Sequence, residues 1–172
     1  MQTLKRLFPA LLIPFFITSC AVISPQIRDE SIGQVNYETL MKDVDKYKGK
    51  TVILGGYILG TQNLVDKSIV KVLQVPLGFG ENPKSKDMSQ GRFIILQKGF
   101  LDPEVYKKDR KITVAGTVTG IVTEKVNHFA QPYLEIESRE IYLWPKDEYY
   151  YPYPYYSPWY YPFPYYWHPY PF

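Results

Sequence analysis

The side chains able to do covalent or acid–base chemistry are few in this chain, and their spacing is poor for catalysis. Cys20 is the only cysteine. A lone thiol can be modified, but it has no intrachain disulfide partner and no CxxC mate for zinc or redox work. His128 sits in Asn127-His128-Phe129, between two predicted strands, with no Ser or Cys nucleophile pattern around it. It reads as a solvated loop histidine. His168 lies in an aromatic tract near the C-terminus. Two histidines leave little for a metal site, which needs several ligands in fixed geometry. Asp43 with Asp45, and Glu135 with Glu137, are pairs that more simply mark wet faces. Glycine-rich nucleotide loops are absent. Lys107-Lys108-Asp109-Arg110-Lys111 is a basic run, but it has an acid inside it, and no nucleic-acid partner is expected. No catalytic residue, metal or cofactor is predicted, and the chain is read as not an enzyme.

What positions Cys20 is the segment before it. Residues 1–19 read as a signal peptide: Lys5 and Arg6 open it, and residues 7–17 form an uncharged apolar run. That run is too short to span a bilayer, and Pro9 and Pro14 disturb helix hydrogen bonding. Ile17-Thr18-Ser19-Cys20 resembles the bacterial lipobox. The resemblance implies cleavage between Ser19 and Cys20, with the lipid carried on Cys20. One acyl chain holds a protein to a membrane only marginally, at ~0.8 kcal/mol per buried methylene, so stable attachment takes more than one. Loss of Lys5 and Arg6 lowers the net charge from +3 to +1. Residue 21 is Ala, not the Asp that commonly holds Gram-negative lipoproteins in the inner membrane. The expected location is therefore the outer membrane, lipid-anchored, on its periplasmic face.

At 172 residues and 45% hydrophobic, the chain has room for one folded domain. Residues 20–35 read as a lipidated tether containing Pro25 and Gly33. Asn36 can cap a helix over 37–47, where Tyr37, Leu40, Met41, Val44 and Tyr47 fall on one face that packs on the domain. Gly49 can stop it. Strands are predicted over 51–61, 68–75, 92–97, 111–123 and 133–144, with a loop over 76–91 and a brief helical turn at Asp102-Pro103-Glu104. Gly55, Gly56 and Gly60 inside the first strand mark bends or bulges. In 111–123, Ile112, Val114, Val118 and Val122 point one way and Thr113, Thr117, Thr119 and Thr123 the other. The last strand changes phase: Leu134 and Ile136 are even-numbered, Ile141 and Leu143 odd. A period of two cannot do that without an extra residue, so a bulge is predicted within 138–140. The expected fold is mainly β: a small five- to six-stranded OB-like barrel over 36–147 with a short N-terminal helix, a two-sheet sandwich being the alternative.

Residues 149–172 hold 11 Tyr, 7 Pro, 2 Trp and 2 Phe, and form with Glu148 a low-complexity tail, 148–172. Repeated proline opposes helix and sheet pairing, so the tail is expected to be extended and disordered. Its aromatic faces with polar tips suit bilayer interfaces, sugar rings or partner proteins.

The domain resembles the Slp family of Gram-negative outer-membrane lipoproteins. The resemblance covers about residues 20–144. It rests on Tyr47-Lys48-Gly49-Lys50, Gly55-Gly56, Val75-Pro76-Leu77, Gly91-Arg92-Phe93, Gly99-Phe100-Leu101-Asp102-Pro103 with Tyr106, Arg110-Lys111-Ile112-Thr113-Val114 with Gly116, and Leu143-Trp144. Lys71 stands where an acidic residue is expected, and the tail runs past the usual domain end. The resemblance implies a lipoprotein with a non-catalytic structural or stress-related envelope role, and it supplies no catalytic residues. The alternative is a binding module for glycan, peptidoglycan or a small ligand that stacks on aromatic side chains. Partners expected are the membrane, through Cys20, and cell-wall glycan or envelope proteins, through the tail.

Overall fold

The computed structural model describes residues 21–146 apart from Gln34 and Asn127. Ser19, Cys20, the signal segment 1–19, the tail 148–172 and His168 lie outside the described residues. Three short helices, α1 (Pro25–Glu30), α2 (Tyr37–Lys42) and α3 (Val44–Tyr47), precede five strands: β1 (Thr51–Asn63), β2 (Lys67–Val75), β3 (Gly91–Lys98), β4 (Lys111–Val126) and β5 (Phe129–Leu143). The strands form one sheet that closes on itself in the order β1-β2-β3-β5-β4, so it does not split into two layers. All neighbours are antiparallel except β3 and β5, which run parallel.

Closing so few strands demands strong coiling, and the sequence supplies it with small residues and bulges. A Cβ at Gly56 would lie 1.9 Å from the Leu73 carbonyl oxygen, so only glycine lets β1 and β2 approach there. Leu59 is an extra residue on β1, between Ile58 paired with Val72 and Gly60 paired with Lys71. Arg139 is the extra residue on β5, between Glu140 opposite Ala115 and Ser138 opposite Gly116. That is the bulge the phase change predicts. Inside the ring, Ile58, Val70, Val72, Phe93, Ile95, Ile112, Val114, Leu134 and Ile136 are fully buried in one core.

Three expectations need correcting. The alternation read for 111–123 does not hold to its end: Thr119 is a third bulge, on β4, so Ile121 rather than Val122 stands opposite the core residue Leu134. The helix expected over 37–47 is two helices. Asn36 caps the first as predicted, accepting the Glu38 and Thr39 amides, but Asp43 leaves helical geometry at φ −126° and ψ 45°. Asp is a weak helix former, and the break lets the stripe of Leu40, Met41, Val44 and Tyr47 follow the curved barrel. The stretch expected as a tether is docked on the domain through Ile23 and Ile27: Ile23 is 1% exposed and joins Ile53 and Ala115 in a second cluster, with Ile27 and Leu77 against it.

Candidate functional site

Outward-facing positions of β1 and β4 build the first notable surface. Ile53 pairs with Ala115, Gly55 with Thr113 and Tyr57 with Lys111. Over Ile53 and Ala115 lies Ile23. Over Gly55 lies the loop after β2, whose Leu77 and Pro83 leave no room for a Cβ there. That loop carries Glu81, 8% exposed with φ 64°. Its carboxylate accepts the Val22 amide at 3.1 Å, the Ile23 amide at 2.9 Å and Arg28 Nε at 2.9 Å. Arg28 Nη2 also donates to the Ile23 carbonyl at 2.6 Å. The Ser24 amide and hydroxyl donate to Glu140 Oε2 at 3.0 and 2.8 Å. Glu81 and Glu140 thus fix the first described residues of the chain. The Glu81 carbonyl accepts from Thr113 Oγ1 at 2.8 Å, and Thr113 Oγ1 accepts from Trp144 Nε1 at 2.9 Å. The two ends of the domain are therefore joined through Glu81 and Thr113.

The stripe continues into a basic groove of about 410 Å³, where the run at 107–111 meets Tyr57, Pro145 and Lys146. Lys86 Nζ lies 4.9 Å from the Tyr57 ring centre and 2.5 Å from Asp109 Oδ1. The Lys86 hydrogen bond holds the Asp109 carboxyl below its usual range. Arg110 Nη2 donates to the Trp144 carbonyl at 2.7 Å, which fixes the guanidinium at the groove wall.

A second concavity, a cleft of about 590 Å³, opens between α2 and the strands. Tyr37, Met41, Leu73, Ile121 and Pro132 give apolar surface, and Arg92 gives a cation. Tyr37 is 2% exposed and its hydroxyl donates to the Arg92 carbonyl. Burial pushes its phenol well above the usual range. Arg92 Nη1 donates to the Tyr133 hydroxyl at 3.2 Å. An apolar cleft at a barrel mouth with a few fixed polar groups suits a small amphipathic ligand.

The residues singled out by spacing do not converge. His128 is exposed in the turn between β4 and β5, with φ 71°. Asp43 forms the helix break and Asp45 lies in the first turn of α3. Glu135 accepts Thr119 Oγ1 at 2.8 Å, while Glu137 faces Lys98 at 3.9 Å. Lys71, where an acid was expected, pairs with Glu124 at 2.5 Å. Among the described residues no group of three or more His, Cys, Asp or Glu is placed to hold a metal. Sequence reasoning missed Glu81, whose only cue is an acid after Gly78 and Gly80 in the loop. It also missed the cleft, whose walls come from segments far apart in the chain.

A family model described as the outer membrane lipoprotein Slp family matches residues 17–171. The match continues through the aromatic tract, so the tail lies within the extent of the family model rather than past its end. An uncharacterized protein of Haemophilus influenzae is 29% identical over 131 residues, covering 76% of this chain and 71% of its own. The Escherichia coli protein named uncharacterized lipoprotein YeaY is 28% identical over 113 residues, 65% of this chain and 58% of its own. The Escherichia coli outer membrane protein Slp is 24% identical over 136 residues, 78% of this chain and 72% of its own.

Proposed function

Since the chain belongs to the outer membrane lipoprotein Slp family, we propose that it is a lipid-anchored, non-catalytic envelope protein, held on the periplasmic face of the outer membrane through acylated Cys20. Its role on this reading is structural, under stress conditions, at the boundary between bilayer and periplasm. The supporting observation is the fixing of Val22 and Ile23 to Glu81. A chain pinned two residues after Cys20 keeps the folded domain close to whatever Cys20 is attached to. The ring order, with β3 and β5 parallel, supports an OB-type reading of the sheet. The experiment is fatty-acid labelling with membrane fractionation, comparing the native protein with Cys20→Ser. The native protein takes label and sediments with the outer membrane, and the variant does neither. Label retained by the variant contradicts acylation at Cys20.

The cleft beneath α2 favours a second reading, a binding module for a small amphipathic envelope ligand or a glycan fragment. Retention on purified cell-wall material beyond that of Ile121→Arg, which fills the cleft with charge, supports it; equal retention of both proteins argues against it.

A further inference from the structure

The geometry points to a second membrane contact, in which the face built over the outer stripe of β1 and β4, with the Glu81 loop beside the basic groove, lies against anionic lipid headgroups with Phe79 inserted between them. This rests on the proposed lipid anchor, which fixes the side of the domain that meets the bilayer. Val22 is two positions after Cys20, a reach of ~7 Å at full extension. Val22 is bonded to Glu81, so a lipid on Cys20 enters the bilayer beside the Glu81 loop. Two residues before Glu81 stands Phe79, 91% exposed. A bare aromatic ring on a loop tip has no packing role in the domain, and beside a bilayer it gains ~25 cal/mol per Å² of apolar surface removed from water.

The positive charge lies on the same side. Positions 53, 55 and 57 face outward along one strand and span ~13 Å. They carry in turn the N-terminal cluster, the Glu81 loop and the basic groove. Lys107, Lys108, Arg110, Lys111 and Lys146 line that groove, with Lys86 beside it over Tyr57. Among the described residues the one acid in its wall, Asp109, is paired with Lys86. Glu104 faces Lys107 at 3.9 Å from an exposed position, a pair that solvent screens. Trp144, bonded to Thr113, delivers the chain to this side as it leaves the domain. A surface with an apolar tip, an indole and clustered cations close to a lipid anchor matches phosphate headgroups in charge and shape, and short-range attraction of this kind adds to acyl chains.

The test uses the chain from residue 21 onward, which contains both core clusters complete and has no acyl group or signal segment. It then has no cysteine, so Phe79→Cys or Val65→Cys accepts a single environment-sensitive fluorophore. Val65 is fully exposed in the turn between β1 and β2. With phosphatidylglycerol-containing vesicles, the probe at 79 shifts to the blue and the probe at 65 does not. Pure phosphatidylcholine vesicles give several-fold weaker binding. Combining Lys107→Glu, Lys108→Glu and Lys146→Glu weakens binding to the anionic vesicles by about fivefold or more per charge removed. Lys125→Glu, at the far end of β4, leaves binding unchanged. Equal response at 79 and 65, equal binding to both vesicle types, or indifference to the groove substitutions overturns the proposal. None of those results bears on acylation, which the labelling experiment decides separately.

Discussion

Glu81 holds the start of the domain with one carboxylate, taking two main-chain amides and the Arg28 guanidinium at 2.9 to 3.1 Å. Hydrogen bonds to a buried charged acceptor contribute ~1.5–3 kcal/mol each, so Glu81→Gln is expected to cost about that much in urea unfolding and to speed tryptic cleavage after Arg28. Unchanged cleavage would mean the N-terminal segment is held by its apolar contacts alone. Gly56 sets a harder limit. A methyl group 1.9 Å from the Leu73 carbonyl forces two backbones apart, and Gly56→Ala is predicted to destabilise by ~3 kcal/mol or more in thermal or urea melts. At Tyr37 the pKa is raised by burial. The neutral phenol therefore contributes its stability in full below the unfolded value near ~10, and loses it as pH rises past that point. Above pH ~10 the native protein should lose stability faster than Tyr37→Phe, by up to ~1.4 kcal/mol per pH unit. Parallel urea midpoints for the two proteins from pH 8 to 11 would contradict the burial.

Elements show where sequence signals carry and where they stop. The bulge at Arg139 was legible because large aliphatic side chains flank it, and their parity changes from Leu134 and Ile136 to Ile141 and Leu143. The bulge at Thr119 was not, because valine and threonine are both β-branched and keep alternating across it. Deleting Arg139 should shift every later β5 residue to the opposite face and abolish the native circular dichroism melt. A cooperative melt in that deletion would show that the register is set elsewhere. The Asn36 cap was readable from residue type and spacing, and Asn36→Ala should cost ~1 kcal/mol in unfolding free energy. Helix α1 was not readable: six residues give under two turns, and its main cue is the pair Ile23 and Ile27 within a polar stretch. Its stability comes from docking on Ile53 and Ala115, which no local pattern reveals.

For the whole molecule, strand content, strand count and ring-like closure followed from alternation, glycines and turn spacing. The candidate sites did not follow, because each is assembled from distant segments: Glu81 with Val22 and Thr113, Tyr37 with Arg92 and Ile121. Among the described residues, every member of both core clusters lies before Trp144. Truncation after Lys146 should accordingly change unfolding free energy by no more than ~0.5 kcal/mol, and a collapse of the melt would place the tail in the core. The central claim is that this domain works at a membrane to which Cys20 is covalently joined. Mass spectrometry of the N-terminal peptide from outer-membrane fractions tests it most directly. The account predicts a peptide that begins at Cys20 and carries fatty acyl mass; an unmodified Cys20 on protein recovered from the soluble periplasm contradicts it.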